Sequence, residues 1–177
     1  MAYGPAKRKA AQLLGHRGAR DAALPDNDTL EAEVRAYLDL FRAESQPAEL
    51  AALRAVALEW MERLAEFRPH LTGSVWRGTA TRLDPVHLEL FCDDSKAAEI
   101  ALIDRHIDYT VESRHGPRGN VIDVLRLAVP CQAIGESVTV CLSILDHDDL
   151  RGLLRPDGRG RTLRGDIAAL RRLLHAT

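Results

Sequence analysis

Residues 72–91, TGSVWRGTATRLDPVHLELF, concentrate the side chains best suited to chemistry. Gly73-Ser74 reads as a turn, and a residue without a Cβ lets a ligand approach the backbone closely. Arg77, Gly78 and Thr79 follow in the same stretch. The run 86–92 then reads as a strand, with His87, Glu89 and Phe91 on one face and Val86, Leu88 and Leu90 on the other. An imidazole and a carboxylate on one face can share a cation, but neutral imidazole suits zinc, copper or iron better than magnesium. Further along, Asp123 in NVIDVLRL is an acid inside an apolar run. That placement is unusual for a strand, although an exposed edge residue would also explain it.

Other constellations carry less. Asp146, His147, Asp148 and Asp149 could bind a metal, yet such a run more often opens a helix, where acids favour the macrodipole. His70, His106, His115 and His175 share no ligand spacing, and the three cysteines form no CxxC pair. GSVWRG is not a nucleophile elbow of the GxSxG kind. The chain contains neither GxxxxGK[ST] nor GxGxxG, which disfavours P-loop and dinucleotide chemistry.

Elements of two periodicities must position these groups. Helical spacing runs over 5–14, 29–43 and 47–67, the second opening on a capping-box-like Asp28 and Glu31. HRGARDAALPDN is a loop between the first two. From Pro69 the pattern changes. HLTGSVW reads as a short strand running into a turn, followed by VHLELFC, a helix over SKAAEIALIDR, and strands in IDYTVES, NVIDVLRLAV and SVTVCLSIL. RHGPRGN is the turn between the first two of those three strands. Leu163, Ile167, Leu170 and Leu174 define a terminal amphipathic helix. The order implies an α+β fold, a mixed sheet with helices on one side. The expected divisions are an N-terminal helical segment over 1–67, a core over 68–145 and a basic helical tail over 146–177. Trp60 continues an apolar helical stripe into the core, whereas Trp76 either packs behind the Gly-Ser turn or stacks on a base.

The chain has 177 residues with 46% hydrophobic and 28% charged side chains, as expected of a globular protein. A net charge of -2 argues against a dedicated nucleic-acid binder. Arg151, Arg155, Arg159, Arg161, Arg164, Arg171 and Arg172 outnumber Asp157 and Asp166 in the tail, a charge that could meet phosphate or simply be solvated. No window has the length of a membrane span and no signal peptide is evident, so a reduced cytoplasm is expected for the three cysteines.

Residues 72–91 resemble the signature of the DNA polymerase beta-like nucleotidyltransferase superfamily, as in small bacterial members. Gly73-Ser74, Arg77-Gly78 and Thr79-Ala80-Thr81 match its turn, and Val86, Leu88 and Leu90 match the apolar positions of its acidic strand. The resemblance implies a site where two divalent metals, Mg or Mn, are held by paired carboxylates and stabilise the oxygens of a phosphoryl transfer. It implies triphosphate contacts from Gly73, Ser74, Arg77, Gly78 and Thr79. It also implies two acids one residue apart on the strand, and those positions hold Pro85 and His87. Asp84 lies one residue off and, on a regular strand, would face the other way.

Three readings follow. The first is a nucleotidyltransferase-fold protein with a degenerate site, a pseudoenzyme that keeps nucleoside triphosphate binding. The second is an active transferase with a shifted metal site of His87, Glu89 and Asp123, in which Glu89 and Asp123 act as the catalytic carboxylates. The third is an interaction or regulatory protein, such as a toxin-antitoxin-type partner, that serves another protein.

Overall fold

The computed structural model describes residues 3–13, 24–116, 119–154 and 162–176. Most of the loop expected over 16–27, together with Leu14, Pro117, Arg118, Arg155, Arg159 and Arg161, lies outside the described residues. The chain divides into two compact units, Met1–Glu44 and Ser45–Thr177.

The first unit contains α1 (Tyr3–Leu13) and α2 (Asn27–Phe41). Asp26, rather than the expected Asp28, caps α2, its carboxylate accepting from the Thr29 N–H at 2.6 Å. Such a cap satisfies an amide that the helix itself leaves unpaired. The Lys7 ammonium donates to the Pro25 carbonyl at 2.7 Å, tying α1 to the start of α2.

The second unit begins with α3 (Gln46–Arg63), which carries Pro47 in its first turn. Then come β1 (His70–Thr72), α4 (Gly73–Arg77), β2 (Val86–Cys92), α5 (Ala97–Asp104), β3 (Thr110–His115), β4 (Val121–Cys131) and β5 (Glu136–Asp146). The short α6 (Leu150–Leu153), a two-residue β6 (Arg164–Gly165) and α7 (Ile167–His175) complete it. The fold is the expected α+β, a mixed six-stranded sheet in the order β3-β4-β5-β2-β1-β6. Only β2 and β5 run parallel, so the chain between them crosses over through α5, β3 and β4. β6 is a strand that the sequence pattern did not suggest, and HLTGSVW turns helical at Gly73 instead of continuing extended.

The pleat separates two faces. Leu71, Val86, Leu88, Leu90, Leu125, Leu127, Val140 and Leu142 join one apolar core with Leu53, Ala57, Trp60 and Met61 of α3, Leu102 of α5 and Leu170 of α7. The alternate residues form the other face. In register across it run Thr72, His87, Cys141, Arg126 and Thr110, then His70, Glu89, Ser143, Val124 and Glu112. This face is polar except at one end, where Phe91, Ile122 and Leu145 pack with Leu150 and Leu153.

Candidate functional site

The polar face of the sheet holds the residues singled out between 72 and 91. Gly73 follows β1 directly and has φ +78°, a conformation that disfavours a side chain. A Cβ there would come within 3.3 Å of the His87 ring, so glycine lets α4 start against β2. Arg54 of α3 donates to the carbonyls of Val75 and Trp76, at 3.2 and 3.5 Å, and so fastens the far end of this helix. Burial lowers the pKa of Arg54, yet the guanidinium is stabilised by those carbonyls in place of water. The amides of Gly78 and Thr79 both donate to the Ser74 carbonyl, at 2.9 and 3.0 Å. Gln46 donates to the carbonyls of Gly78 and Ala80. Two of the residues expected to cradle phosphates therefore spend their amides on closing α4. Arg77 is half-buried at the last position of that helix.

Trp76 packs behind the turn. Its ring lies so close to Gly165 of β6 that a Cβ there would meet the indole at 2.2 Å, and its Nε1–H donates to the Thr162 carbonyl at 2.8 Å. The tail thereby fixes the turn, a contact that no local spacing announces. The Thr72 hydroxyl adds a bond to the Leu163 carbonyl at 3.1 Å.

The strand-face argument for Asp84 does not apply, because β2 begins only at Val86. Asp84 sits in the preceding bend, where one carboxylate oxygen accepts from the Thr81 amide at 2.9 Å and its hydroxyl at 3.1 Å. The other oxygen lies 3.4 Å from the Ser74 hydroxyl, the long end of hydrogen-bond range. Asp84 is thus the acid beside the Gly-Ser turn, and it was passed over because its position was read as strand.

His87 points into the face with its Nδ1 buried and without a hydrogen-bond partner. Burial lowers its pKa to about 4, with the Arg114 and Arg126 charges acting in the same direction and Asp84 opposing them. The imidazole is therefore neutral at pH 7. Glu89 is tied to Arg164, whose Nε donates at 2.7 Å to a carboxylate itself 12% exposed. Arg164 also donates to the Leu153 carbonyl. Asp123 stands in register with Ser113 on the helix-covered side of the sheet, opposite His87 and Glu89. It meets Lys96 at 3.6 Å and the Ser113 hydroxyl at 3.3 Å.

The proposed trio of His87, Glu89 and Asp123 is accordingly not assembled. Side chains one strand apart share a face only when their register positions agree in parity, and Asp123 does not agree with the other two. Among the described residues, no three His, Cys, Asp or Glu side chains gather as a metal set. Pro85, a neutral His87 and a Glu89 already neutralised by Arg164 do not fit a pair of hard divalent cations, which need several free oxygens.

The acidic run after β5 is a cap, as its alternative reading had it. The Asp146 carboxylate accepts from the Asp148 amide at 2.8 Å and starts a short 3-10 turn over His147–Asp149.

What the polar face offers instead is cationic and neutral groups. Arg114 reaches from the edge strand to the Ser143 hydroxyl at 2.6 Å, and Arg126 pairs with Glu112 at 2.6 Å. Beside Arg126 a groove of about 340 Å³ is lined by Asp108, Tyr109, Thr110, Leu127, Ala128 and Thr139. Thr139 is adjacent to Val140, the register partner of Val86, so the groove lies near the start of β2. Its size is within the range of small-molecule sites. Neither Arg114 nor the groove had a sequence signal, since both depend on which strand ends beside which.

No family model and no curated protein matches the chain. Three similar solved structures are terminal uridylyltransferases. Cid1 in complex with the UTP analogue UMPNPP is 15% identical over 54% of this chain and 30% of its own, with a TM-score of 0.37. A cytoplasmic RNA terminal U-transferase is 19% identical over 60% of this chain and 33% of its own, with a TM-score of 0.38. A second Cid1 structure is 17% identical over 67% of this chain and 31% of its own, with a TM-score of 0.31. The match thus spans about a third of the length of those proteins, and at such scores it bears on neither activity nor substrate.

Proposed function

We propose that this chain is a catalytically degenerate protein of the nucleotidyltransferase type, which keeps a site for a nucleoside triphosphate and has lost two-metal transfer. One observation carries the reading: where the resemblance implies free carboxylates, the chain has Pro85 just before β2, and on β2 a neutral His87 and a Glu89 bound to Arg164. The Gly73-Ser74 turn beside it supports retention of the pocket, because Gly73 still keeps a positive φ and leaves room over His87. Without carboxylates to hold magnesium, the attacking and leaving oxygens lack the charge stabilisation that makes phosphoryl transfer fast. What remains to the site is binding and orientation.

The test is incubation with each of the four nucleoside triphosphates, labelled at the α-phosphate, with Mg2+ or Mn2+ and with RNA, DNA and protein acceptors. The expected result is no transfer of label above a protein-free control. Transfer that disappears in Ser74→Ala would show an active enzyme and overturn the reading.

A further inference from the structure

A carboxylate in a phosphate site does two opposed things. It attracts the metal that binds phosphate, and it repels the phosphate itself. Removing carboxylates therefore ends metal binding and also removes their repulsion of phosphate, so that a fixed cation can hold the phosphate directly. On this face the substitution has gone that way. Neither Pro85 nor His87 brings a carboxylate to it. Of the acids that remain, Glu89 is engaged by Arg164, Glu112 by Arg126 and Asp84 by the Thr81 amide and hydroxyl, while Asp108 stands at the rim of the groove beside Arg126.

Arg114 stands apart from these pairs. Its guanidinium is held by the neutral Ser143 hydroxyl at 2.6 Å, and among the described residues it makes no ion pair. Ser143 is the register partner of Glu89, and Cys141, two residues earlier on the same face, is the partner of His87. Arg114 thus lays a positive charge over the centre of the face from its outer edge. A guanidinium recognises bare phosphate oxygens through two parallel N–H bonds, which a metal ion is otherwise used to replace. The groove beside Arg126 adds room for the remainder of a ligand, with Tyr109 and Ala128 as apolar surface.

The geometry points to a metal-independent anion site at the exposed β3 edge of this polar face, where Arg114 binds the phosphates of a nucleoside triphosphate and the groove beside Arg126 receives the nucleoside. This rests on the reading that the pocket still takes a nucleotide, and it assigns the work of the lost metals to an arginine from the edge strand.

The experiment is calorimetric titration of the whole chain with ATP, GTP, CTP and UTP and with inorganic tripolyphosphate, in EDTA and again in excess Mg2+. Wild type, Arg114→Gln and Arg82→Gln are compared. Arg82 pairs with Glu136 on the exposed surface and serves as a control for charge alone. A nucleotide should bind in EDTA at least as tightly as in Mg2+. Arg114→Gln should weaken it by about tenfold or more, the loss expected for one charge-assisted contact. Arg82→Gln should leave it unchanged. Arg114 is exposed on an edge strand but holds the buried Ser143 hydroxyl, so the melting temperature of its variant is measured alongside to separate lost binding from lost folding. Tripolyphosphate bound without metal, in the absence of any nucleotide binding, would support the anion site and sink the nucleotide reading. Nucleotide bound only with Mg2+, or equally well by Arg114→Gln, would overturn the inference and leave that reading standing. Absence of binding in both buffers would overturn both.

Discussion

His87 is the residue on which the chemistry turns, and its environment makes a measurable claim. Burial holds its pKa at about 4 in the folded chain, against about 6.5 in an unfolded one. At pH 7 neither state binds the proton. As pH falls below about 6.5 the unfolded chain takes it up first, so protonation favours unfolding until the folded pKa is passed. Stability should therefore decline between about pH 6.5 and pH 4, by up to roughly 3 kcal/mol from this group. Urea unfolding at a series of pH values should show that decline in wild type and a flatter curve in His87→Gln. Parallel curves for the two proteins would mean that His87 is not buried as described. That Pro85 and His87 stand where the resemblance implies acids was legible in the sequence, since it needed only the spacing from Gly73-Ser74. The unpartnered Nδ1 was not, because it depends on what β1, β5 and α4 bring alongside. Asp84 was misjudged for a related reason: strand parity was extended past the residue where the strand begins.

At the scale of elements, the least conspicuous strand has the largest effect on the site. β6 is two residues long, yet through it Arg164 reaches across β1 to Glu89 on β2, both side chains about nine-tenths buried. Breaking such a pair from one side leaves a charge without compensation in a poorly solvated place. Arg164→Ala should destabilise the protein by about 3–5 kcal/mol, and Glu89→Met combined with Arg164→Leu should recover much of that loss. Denaturant midpoints of the single and double variants decide the matter, and a neutral Arg164→Ala would show that the pair is not desolvated. Of the strands, β2, β4 and β5 were plain in the sequence because alternating and apolar runs announce them. β6 was not, since two residues carry no periodicity, and Arg164 was read only as one charge of a basic tail. The short α4 was hidden for another reason: its stability comes from Arg54 and Gln46 of a distant helix, not from its own sequence.

At the scale of the molecule, one sheet separates two kinds of environment. The face toward α3, α5 and α7 supplies the apolar core, and the opposite face carries His87, Glu89, Ser143 and Arg126 in register, exposed mainly along its β3 edge. The α+β class followed from the order of periodicities. The side of the sheet on which each acid lies did not, because register is set by pairing between strands far apart in sequence. Asp123 illustrates the point, being an acid in a later strand but on the core side. No helix among the described residues is long and apolar enough to cross a membrane.

The central proposal, that the Gly73-Ser74 turn and β2 hold no pair of divalent metals, is tested most directly by Mn2+ binding followed by electron paramagnetic resonance. Wild type is compared with the double variant Pro85→Asp/His87→Asp, each with and without ATP. The account predicts no micromolar Mn2+ binding by wild type and clear Mn2+ binding by the double variant, which adds one carboxylate just before β2 and one at its second residue. Micromolar Mn2+ bound by wild type and lost in Glu89→Gln would contradict it, because a working metal site would then exist where the structure has Glu89 paired with Arg164.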